Sequence, residues 1–254
     1  MDRLPHLYQT NDFMGIISIL LATIRFYLAW MIAFPLHFVS WLVGCCVYPR
    51  DKWGHLSYTL AKSISLMALK VSGIQLRIKL EGDIPEQGPL IVVANHQSYL
   101  DIIAVVAAIP HQIAFVAKRE LLAIPFLGWN LKAQHHLIID RSKPKEAMSQ
   151  LISLAPLMAE RQQVVVFFPE GTRSPTETMG RFKSGAFELA HAAGATVIPV
   201  AIKGSGRIFG KTSHWVRYGS IDVVVTPPLP PTLSPNELKE TAFLRIQTAM
   251  EPRL

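Results

Sequence analysis

The chain has 254 residues and a mass of 28.3 kDa, the size of one large domain. Hydrophobic residues make up 50% and charged residues only 17%, which excludes an intrinsically disordered chain. The net charge of +7 predicts an anionic partner, and the apolar excess favours a phospholipid surface over nucleic acid. The only cysteines, Cys45 and Cys46, are adjacent and too few for a disulfide framework, which predicts a reducing compartment.

The first predicted element is a long apolar segment that ends near Pro49. Between Asp12 and Arg50 its only formal charge is Arg25. Because about 20 apolar residues span a bilayer, the segment is too long for one straight span and suits two short helices with a break at Pro35. Placing Arg25 at mid-membrane would cost about 2.5–3.5 kcal/mol, so a shallow hairpin in one leaflet is favoured over a central span.

Basic residues follow this segment with little opposing charge, namely Arg50, Lys52, Lys62 and Lys70. The positive-inside bias therefore predicts that the rest of the chain is cytoplasmic. Residues 53–71 have apolar side chains at helical spacing, which predicts a further helix against lipid or against the core. We predict residues 1–72 to be a membrane-anchoring helical segment and residues 73–254 to be an α/β domain.

Strands and helices alternate through the remainder of the chain. Residues 74–80 alternate between apolar and polar, the period of a half-buried strand. Short apolar runs predict further strands at 90–94, 113–117, 137–139, 164–168, 196–202 and 221–225, with helices at 145–161, 184–193 and 236–250. This order predicts an α/β fold with a mostly parallel central sheet flanked by helices, and ligands at the carboxyl ends of the strands.

A histidine and an aspartate follow the predicted strand at 90–94. His96 and Asp101 are five residues apart, and Asp101 falls in the first turn of a predicted helix. A carboxylate in this position can orient the imidazole as a general base for a hydroxyl. For this spacing alone, a surface histidine near an unrelated helical carboxylate is the more frequent alternative, and the position after a buried strand adds support for the pair.

Charged residues follow three other predicted strands. The strand at 164–168 leads into Glu170, Gly171 and Arg173, a combination suited to a phosphate and its neighbouring hydroxyls. An ordinary turn with a solvated ion pair is the alternative. Lys118 and the Asp140–Arg141 pair also stand at strand exits, so four polar segments are expected at one edge of the sheet.

The segments NHQSYLD, KREL followed by PFLG, IIDR, FPEGTRS and VIPVAI cover residues 95–202 in this order. Together they resemble the motif set of the glycerolipid acyltransferase family, specifically the bacterial 1-acyl-sn-glycerol-3-phosphate acyltransferases. The resemblance implies a catalytic pair, with His96 as the general base and Asp101 as its partner. It also implies an acceptor-binding set, which comprises Lys118 and Arg173 on the phosphate, with Glu170, Gly171 and Thr172 in the adjoining loop.

The resemblance further implies the reaction and its partners. A fatty acyl group would pass from acyl-CoA or an acyl-acyl carrier protein to the sn-2 hydroxyl of 1-acyl-glycerol-3-phosphate, giving phosphatidic acid for phospholipid biosynthesis. No cofactor and no metal are expected, and the site would lie on the cytoplasmic side of a bacterial inner membrane. Another lysolipid acceptor, such as a lyso-aminolipid, and a non-enzymatic protein that binds anionic lipid both remain open.

Other protein classes fit the residues less well. A lipase or esterase needs a G-x-S-x-G elbow, which the chain lacks. Residues 204–212 miss the spacing of a phosphate-cradling loop by one residue, which argues against an ATP-binding module. His135 and His136 are neighbours that cannot both reach one metal ion from an extended strand. A nucleic-acid binder is disfavoured because the basic residues follow an apolar segment and strand ends.

Residues 203–217 carry four cations and no acid, at Lys203, Arg207, Lys211 and Arg217. They predict a basic rim for lipid phosphates or for an acidic donor, and a merely solvated loop is the equal alternative.

Overall fold

The computed structural model describes residues 13–47, 50–51, 54–124, 127–140 and 144–251. Lys52, Pro125, Phe126 and Arg141, which the sequence analysis singles out, lie outside these ranges. The strands are β1 (Ile74–Leu80), β2 (Leu90–Ala94), β3 (Ile113–Lys118), β4 (Leu137–Ile139), β5 (Val164–Phe167), β6 (Thr196–Lys203) and β7 (Gly219–Val225). The helices are α1 (Phe13–Val47), α2 (His55–Val71), α3 (Leu100–Ala108), α4 (Leu127–Ala133), α5 (Pro144–Ser153), α6 (Ala155–Glu160), α7 (Gly185–Ala193), α8 (Ser205–Ile208) and α9 (Pro235–Met250), and a 3₁₀ helix spans Arg119–Ala123.

The strands form one seven-stranded sheet in the order β1-β7-β6-β2-β5-β3-β4. Every neighbouring pair is parallel except β6 and β7, which are antiparallel. The predicted mostly parallel α/β fold is therefore confirmed. Strands β6, β2, β5, β3 and β4 end at one edge, which we call the carboxyl edge, and β7 begins there because it runs the opposite way.

The middle of the sheet is covered by a hydrophobic cluster on each face. Strand β2 is buried throughout, as its run of five apolar residues predicts. Helices α5, α6, α7 and α9 supply one cluster, which contains Phe187 and Met158, and helices α1, α2 and α3 supply the other, which contains Phe26 and Leu69. The N-terminal helices thus share a hydrophobic cluster with the sheet.

Asn95 joins the two strands beside the centre of the carboxyl edge. Its side-chain amide donates to the carbonyl of Ile202 at 2.9 Å and accepts the N–H of the same residue at 2.8 Å. Both partners are buried, so the bonds are shielded from competing water. The residue before His96 therefore holds the end of β2 against β6.

The predicted break at Pro35 is wrong, because α1 is one helix from Phe13 to Val47 with Pro35 inside it. A proline removes one backbone hydrogen bond, but a neighbouring helix can hold both halves in line. Helix α2 does so, since His37 Nε2 lies 3.0 Å from Ser65 Oγ and the Arg25 side chain donates to the carbonyl of Val71. The helical hairpin in this structure is formed by α1 and α2, with Arg25 bonded to the end of α2.

Many large apolar side chains of α1 are exposed on the surface of the protein. Met14, Ile16, Leu20, Leu21, Ile24, Leu28, Met31, Ile32, Phe34 and Leu42 are all more than 40% exposed. Among the described residues, α1 is the single helix that is long and apolar enough to cross a membrane, by length and composition alone. So large an exposed apolar surface is typical of a contact with lipid or with another protein.

Candidate active site

His96 and Asp101 are brought together at the carboxyl edge, as their spacing predicts. His96 lies just beyond the end of β2, and Asp101 lies in the first turn of α3. The distance between His96 Nδ1 and Asp101 Oδ2 is 2.9 Å. The Asp101 side chain is fully buried, whereas the His96 side chain is 14% exposed. The carboxylate is thus enclosed by protein, and the imidazole retains access to a ligand.

Three donors converge on one oxygen of Asp101. Besides His96, the backbone N–H groups of Gln97 and Ser98 donate to Oδ2, at 2.6 and 2.8 Å. Charge-assisted bonds of this kind, and the positive end of α3, stabilise the ionised carboxylate. Since Nδ1 is held by the carboxylate, Nε2 is the nitrogen of His96 that is available to a substrate.

The ring of His96 stacks on Phe168, the residue just after β5. The ring centroids are 4.0 Å apart and the planes differ by 17°. Phe168 stacks in turn on Phe115 of β3, at 6.4 Å and 12°. The two aromatic rings limit the rotation of the imidazole and give it an apolar wall on one side. Phe168 is a part of the site that sequence reasoning missed, although it directly precedes the predicted polar loop.

The Glu170 carboxylate accepts hydrogen bonds from backbone N–H groups of two separate segments. Its Oε1 accepts the N–H of His96 and its Oε2 accepts the N–H of Gly180, each at 2.8 Å. The side chain is buried, and burial raises the pKa of its carboxyl against the lowering effect of the two backbone bonds. In addition, Ser174 donates its N–H to the carbonyl of His96 at 2.7 Å. The loop after β5 is therefore fastened to the backbone of the histidine.

The predicted acceptor loop lies beside His96. Gly171 has a φ of 75°, in the left-handed region, and an added Cβ would lie 2.7 Å from Lys183 Nζ. Thr172 is exposed and its Oγ1 accepts from Lys211 Nζ at 3.2 Å. The Arg173 guanidinium carbon lies 3.8 Å from the ring centroid of Tyr99, a cation–π contact. The loop thus carries one cation, Arg173, and lies against two others, Lys183 and Lys211, which were not foreseen as loop contacts.

Lys118 stands at the carboxyl end of β3 with its side chain exposed. Strand β3 lies next to β5, so Lys118 belongs to the same edge as the loop of Arg173. Asp140 directly follows β4, at the outer end of the sheet. The described charged strand exits are therefore on one edge, with Asp140 at its margin rather than beside His96.

Two of the four cations of the predicted basic rim are bonded to other parts of the protein. Arg207 forms an ion pair with Glu177, and its Nη2 donates to Glu177 Oε2 at 2.7 Å. Lys203 donates to the carbonyl of Glu251 at 2.9 Å. Glu177 is 30 residues from Arg207 in the sequence, so the acid-free run did not reveal this partner. Lys211 faces the acceptor loop through Thr172 instead.

His136 is a half-buried neutral histidine close to the stacked rings. Its Nδ1 accepts the N–H of Phe115 at 2.8 Å, and its ring lies 5.8 Å from that of Phe115. Burial, with a smaller effect of His135, lowers the pKa of His136 to about 4. Among the described residues there is no cluster of three or more His, Cys, Asp or Glu that could hold a metal ion. The structure thus gives His136 a packing role.

The fold is similar to that of a protein of known structure. It matches the crystal structure of the 1-acyl-sn-glycerophosphate (LPA) acyltransferase PlsC from Thermotoga maritima with a TM-score of 0.75, over 92% of this chain and 96% of that chain. At 23% identity this likeness concerns the fold alone.

Sequence comparison then identifies the family. A family model described as acyltransferase matches residues 75–203, more than half of the chain. A 1-acyl-sn-glycerol-3-phosphate acyltransferase of Chlamydomonas reinhardtii is 31% identical over 244 residues, which cover 93% of this chain and 73% of that protein. The enzyme of the same name from Pseudomonas aeruginosa is 37% identical over 158 residues, covering 62% of this chain and 60% of that protein. The chain belongs to the acyltransferase family.

Proposed function

We propose that this protein transfers a fatty acyl group from an acyl thioester to the sn-2 hydroxyl of 1-acyl-glycerol-3-phosphate, forming phosphatidic acid. The observation that carries the proposal is the 2.9 Å contact between His96 and the buried Asp101 at the carboxyl edge. The names of the Chlamydomonas and Pseudomonas relatives support the choice of acceptor.

In the proposed reaction His96 acts as the general base. Its Nε2 accepts the proton of the acceptor hydroxyl while the hydroxyl oxygen attacks the thioester carbonyl. The C–S bond of the tetrahedral intermediate then breaks, and the imidazolium returns the proton to the departing thiolate. Asp101 holds the ring through Nδ1 and stabilises the imidazolium that forms. The thioester is already activated, so no covalent acyl-enzyme is needed.

The acceptor would be held by its phosphate on the cations of the carboxyl edge. Arg173 is fixed over Tyr99 beside the histidine, and Lys118 stands exposed on the neighbouring strand. A guanidinium can bind two phosphate oxygens at once, whereas an ammonium contributes a point charge. Gly171 and Thr172 would line the same pocket.

The donor, the membrane and the absence of a cofactor complete the proposal. Acyl-CoA and acyl-acyl carrier protein are both anionic thioesters that suit a basic edge, and the chemistry above requires neither a cofactor nor a metal.

The exposed apolar surface of α1 supports attachment to a membrane. We place the protein at the cytoplasmic face of a bacterial inner membrane, with residues 1–72 as the anchor.

The test is a transfer assay with purified protein, a labelled acyl thioester and a panel of lysolipids. The wild type should acylate 1-acyl-glycerol-3-phosphate, and His96→Ala should reduce kcat by about 10²–10⁴-fold, the worth of a positioned general base. His191→Ala, at an exposed histidine of α7, is the matched control and should keep full activity.

Other results of the transfer assay would contradict specific parts of the proposal. If His96→Ala retains most of the activity, the catalytic assignment is wrong. Transfer only to acceptors that lack a phosphomonoester would contradict the acceptor while leaving acyl transfer intact. Binding of anionic lipid without transfer to any acceptor would favour a non-enzymatic lipid-binding protein.

A further inference from the structure

Helix α1 contacts two elements of the carboxyl edge. One is α4, which follows the end of β3, and the other is the loop of residues 210–218, which leads into the start of β7. Helix α4 belongs to that edge because it follows the carboxyl end of β3. The loop belongs to it because β7, which is antiparallel to β6, begins at that edge. Neither element is part of the predicted anchor at residues 1–72.

The first contact joins α1 to α4 through two tryptophans. The rings of Trp41 and Trp129 are stacked at 5.5 Å with an angle of 27°. Trp129 is nevertheless 51% exposed, and Lys132, on the same face of α4, is also exposed. An aromatic ring and a cation thus stand together beside the apolar surface of α1.

The second contact joins α1 to the loop of residues 210–218. Thr23 Oγ1 accepts the N–H of Val216 at 2.9 Å, and Tyr27 donates its hydroxyl to the carbonyl of His214 at 3.1 Å. Between these two fixed residues, Trp215 is 55% exposed. Arg217, next but one, is exposed as well, and residues 203–221 contain no acid.

We propose that Trp129 and Trp215 form a second lipid contact, which seats the carboxyl edge on an anionic bilayer surface. Tryptophan concentrates at the boundary between hydrocarbon and head groups, and nearby lysine and arginine are attracted to anionic lipid. Trp129 stacks on Trp41 of α1, Trp215 is held next to α1 by the bonds of its two neighbours, and Lys132 and Arg217 supply the complementary charge. The inference rests on the membrane attachment proposed above.

Two contacts outside α1, reached from Thr23 and from Trp41, would fix the orientation of the active site. These two residues are about 27 Å apart along the helix, so contacts at α4 and at residues 210–218 would limit tilting of the α1–α2 hairpin against the bilayer. The opening beside His96 would then face the head-group layer, because Ser98 of the same loop donates to the carbonyl of Phe209 at 2.6 Å, close to residues 210–218. A lysolipid could reach His96 while its acyl chain stays in the bilayer.

Hydrogen exchange tests the contact without requiring turnover. We would compare the full chain in nanodiscs of phosphatidylcholine alone with nanodiscs that also contain phosphatidylglycerol. Amides at residues 127–133 and 213–218 should gain protection when phosphatidylglycerol is present. Protection confined to α1 and α2 in both nanodiscs would overturn the proposal, whatever the enzyme's activity.

Kinetics of three variants supply an independent readout. Trp129→Ser and Trp215→Ser should each raise the apparent KM for a long-chain acceptor in vesicles about tenfold, equivalent to about 1.4 kcal/mol. With a short-chain acceptor in free solution their kinetics should match the wild type. Leu244→Ser, at a 60% exposed leucine on α9, is the control and should change neither. Equal losses with both acceptors, or the same loss in the control, would refute a bilayer contact.

Discussion

Glu170 accepts the backbone N–H of His96 through Oε1, at 2.8 Å, and binds Gly180 through its other oxygen. Both carboxylate oxygens are therefore engaged by backbone donors inside the protein. The resemblance to acyltransferases implies a role in the acceptor site, but this geometry favours a positioning role, in which Glu170 holds the histidine and the loop after β5 in register.

Substitution of Glu170 should separate these two roles. Glu170→Ala leaves two partly buried N–H groups unpaired, each costing about 1–3 kcal/mol, and Glu170→Gln retains one acceptor oxygen. We expect kcat to fall in both variants, by about tenfold or more in Glu170→Ala, with the KM for the acceptor nearly unchanged. Steady-state kinetics test this, with Glu240→Gln on α9 as the control. A rise in acceptor KM at constant kcat would instead favour direct contact with the acceptor.

Arg173 should recognise phosphate by its shape as well as by its charge. Arg173→Lys keeps the charge but loses the planar group that stacks on Tyr99 and can bind two oxygens. We expect the KM for a phosphate-bearing acceptor to rise about tenfold in Arg173→Lys, and further in Arg173→Gln. Lys239→Gln, on the surface of α9, should have no effect. An Arg173→Lys variant with wild-type KM would show that only a point charge is needed.

His136 should make the fold sensitive to acid. Its pKa is lowered from 6.5 to about 4 by burial, so its contribution to stability is complete above pH 6.5 and is lost as the pH falls through about 4. The loss amounts to at most about 3 kcal/mol. In His136→Asn the side-chain oxygen can accept the N–H of Phe115 without titrating.

Unfolding in urea at pH values from 7.5 to 4 tests this dependence. The wild type should lose more stability across the range than His136→Asn does. His191→Asn, at an exposed position, should follow the wild type. Parallel curves for the wild type and His136→Asn would contradict the role of His136.

Gly171 and Lys183 should be energetically coupled. An alanine at position 171 would hold an unfavourable left-handed backbone, at about 1–2 kcal/mol, and its Cβ would press on Lys183 Nζ. Gly171→Ala should therefore reduce acyl transfer. Shortening the lysine in Gly171→Ala/Lys183→Ala removes the contact but not the backbone strain, so it should restore stability only in part. A double-mutant cycle on stability measures the coupling, and exact additivity would exclude the contact.

Much of the fold follows from local patterns. The run of β-branched residues at 90–94 can be buried only as an inner strand, and the alternation at 74–80 suits a half-buried one; both strands have the predicted bounds. The helix break predicted at Pro35 was wrong, because the effect of this proline on α1 depends on α2, which packs against both halves of the helix. The local sequence shows the intrinsic conformational preference of a residue. It does not show which neighbouring element in the fold overrides that preference.

The residues of the site divide in the same way. The sequence by itself determined the pairing of His96 with Asp101, since five residues between a strand end and a helix start allow few other arrangements. It could not determine the stacking of Phe168 on His96, the use of both Glu170 oxygens by backbone groups, or the pairing of Arg207 with Glu177. These contacts join residues that are 10 to 74 positions apart in the sequence. Only the order of strands in the sheet, which no local pattern encodes, decides which of them meet.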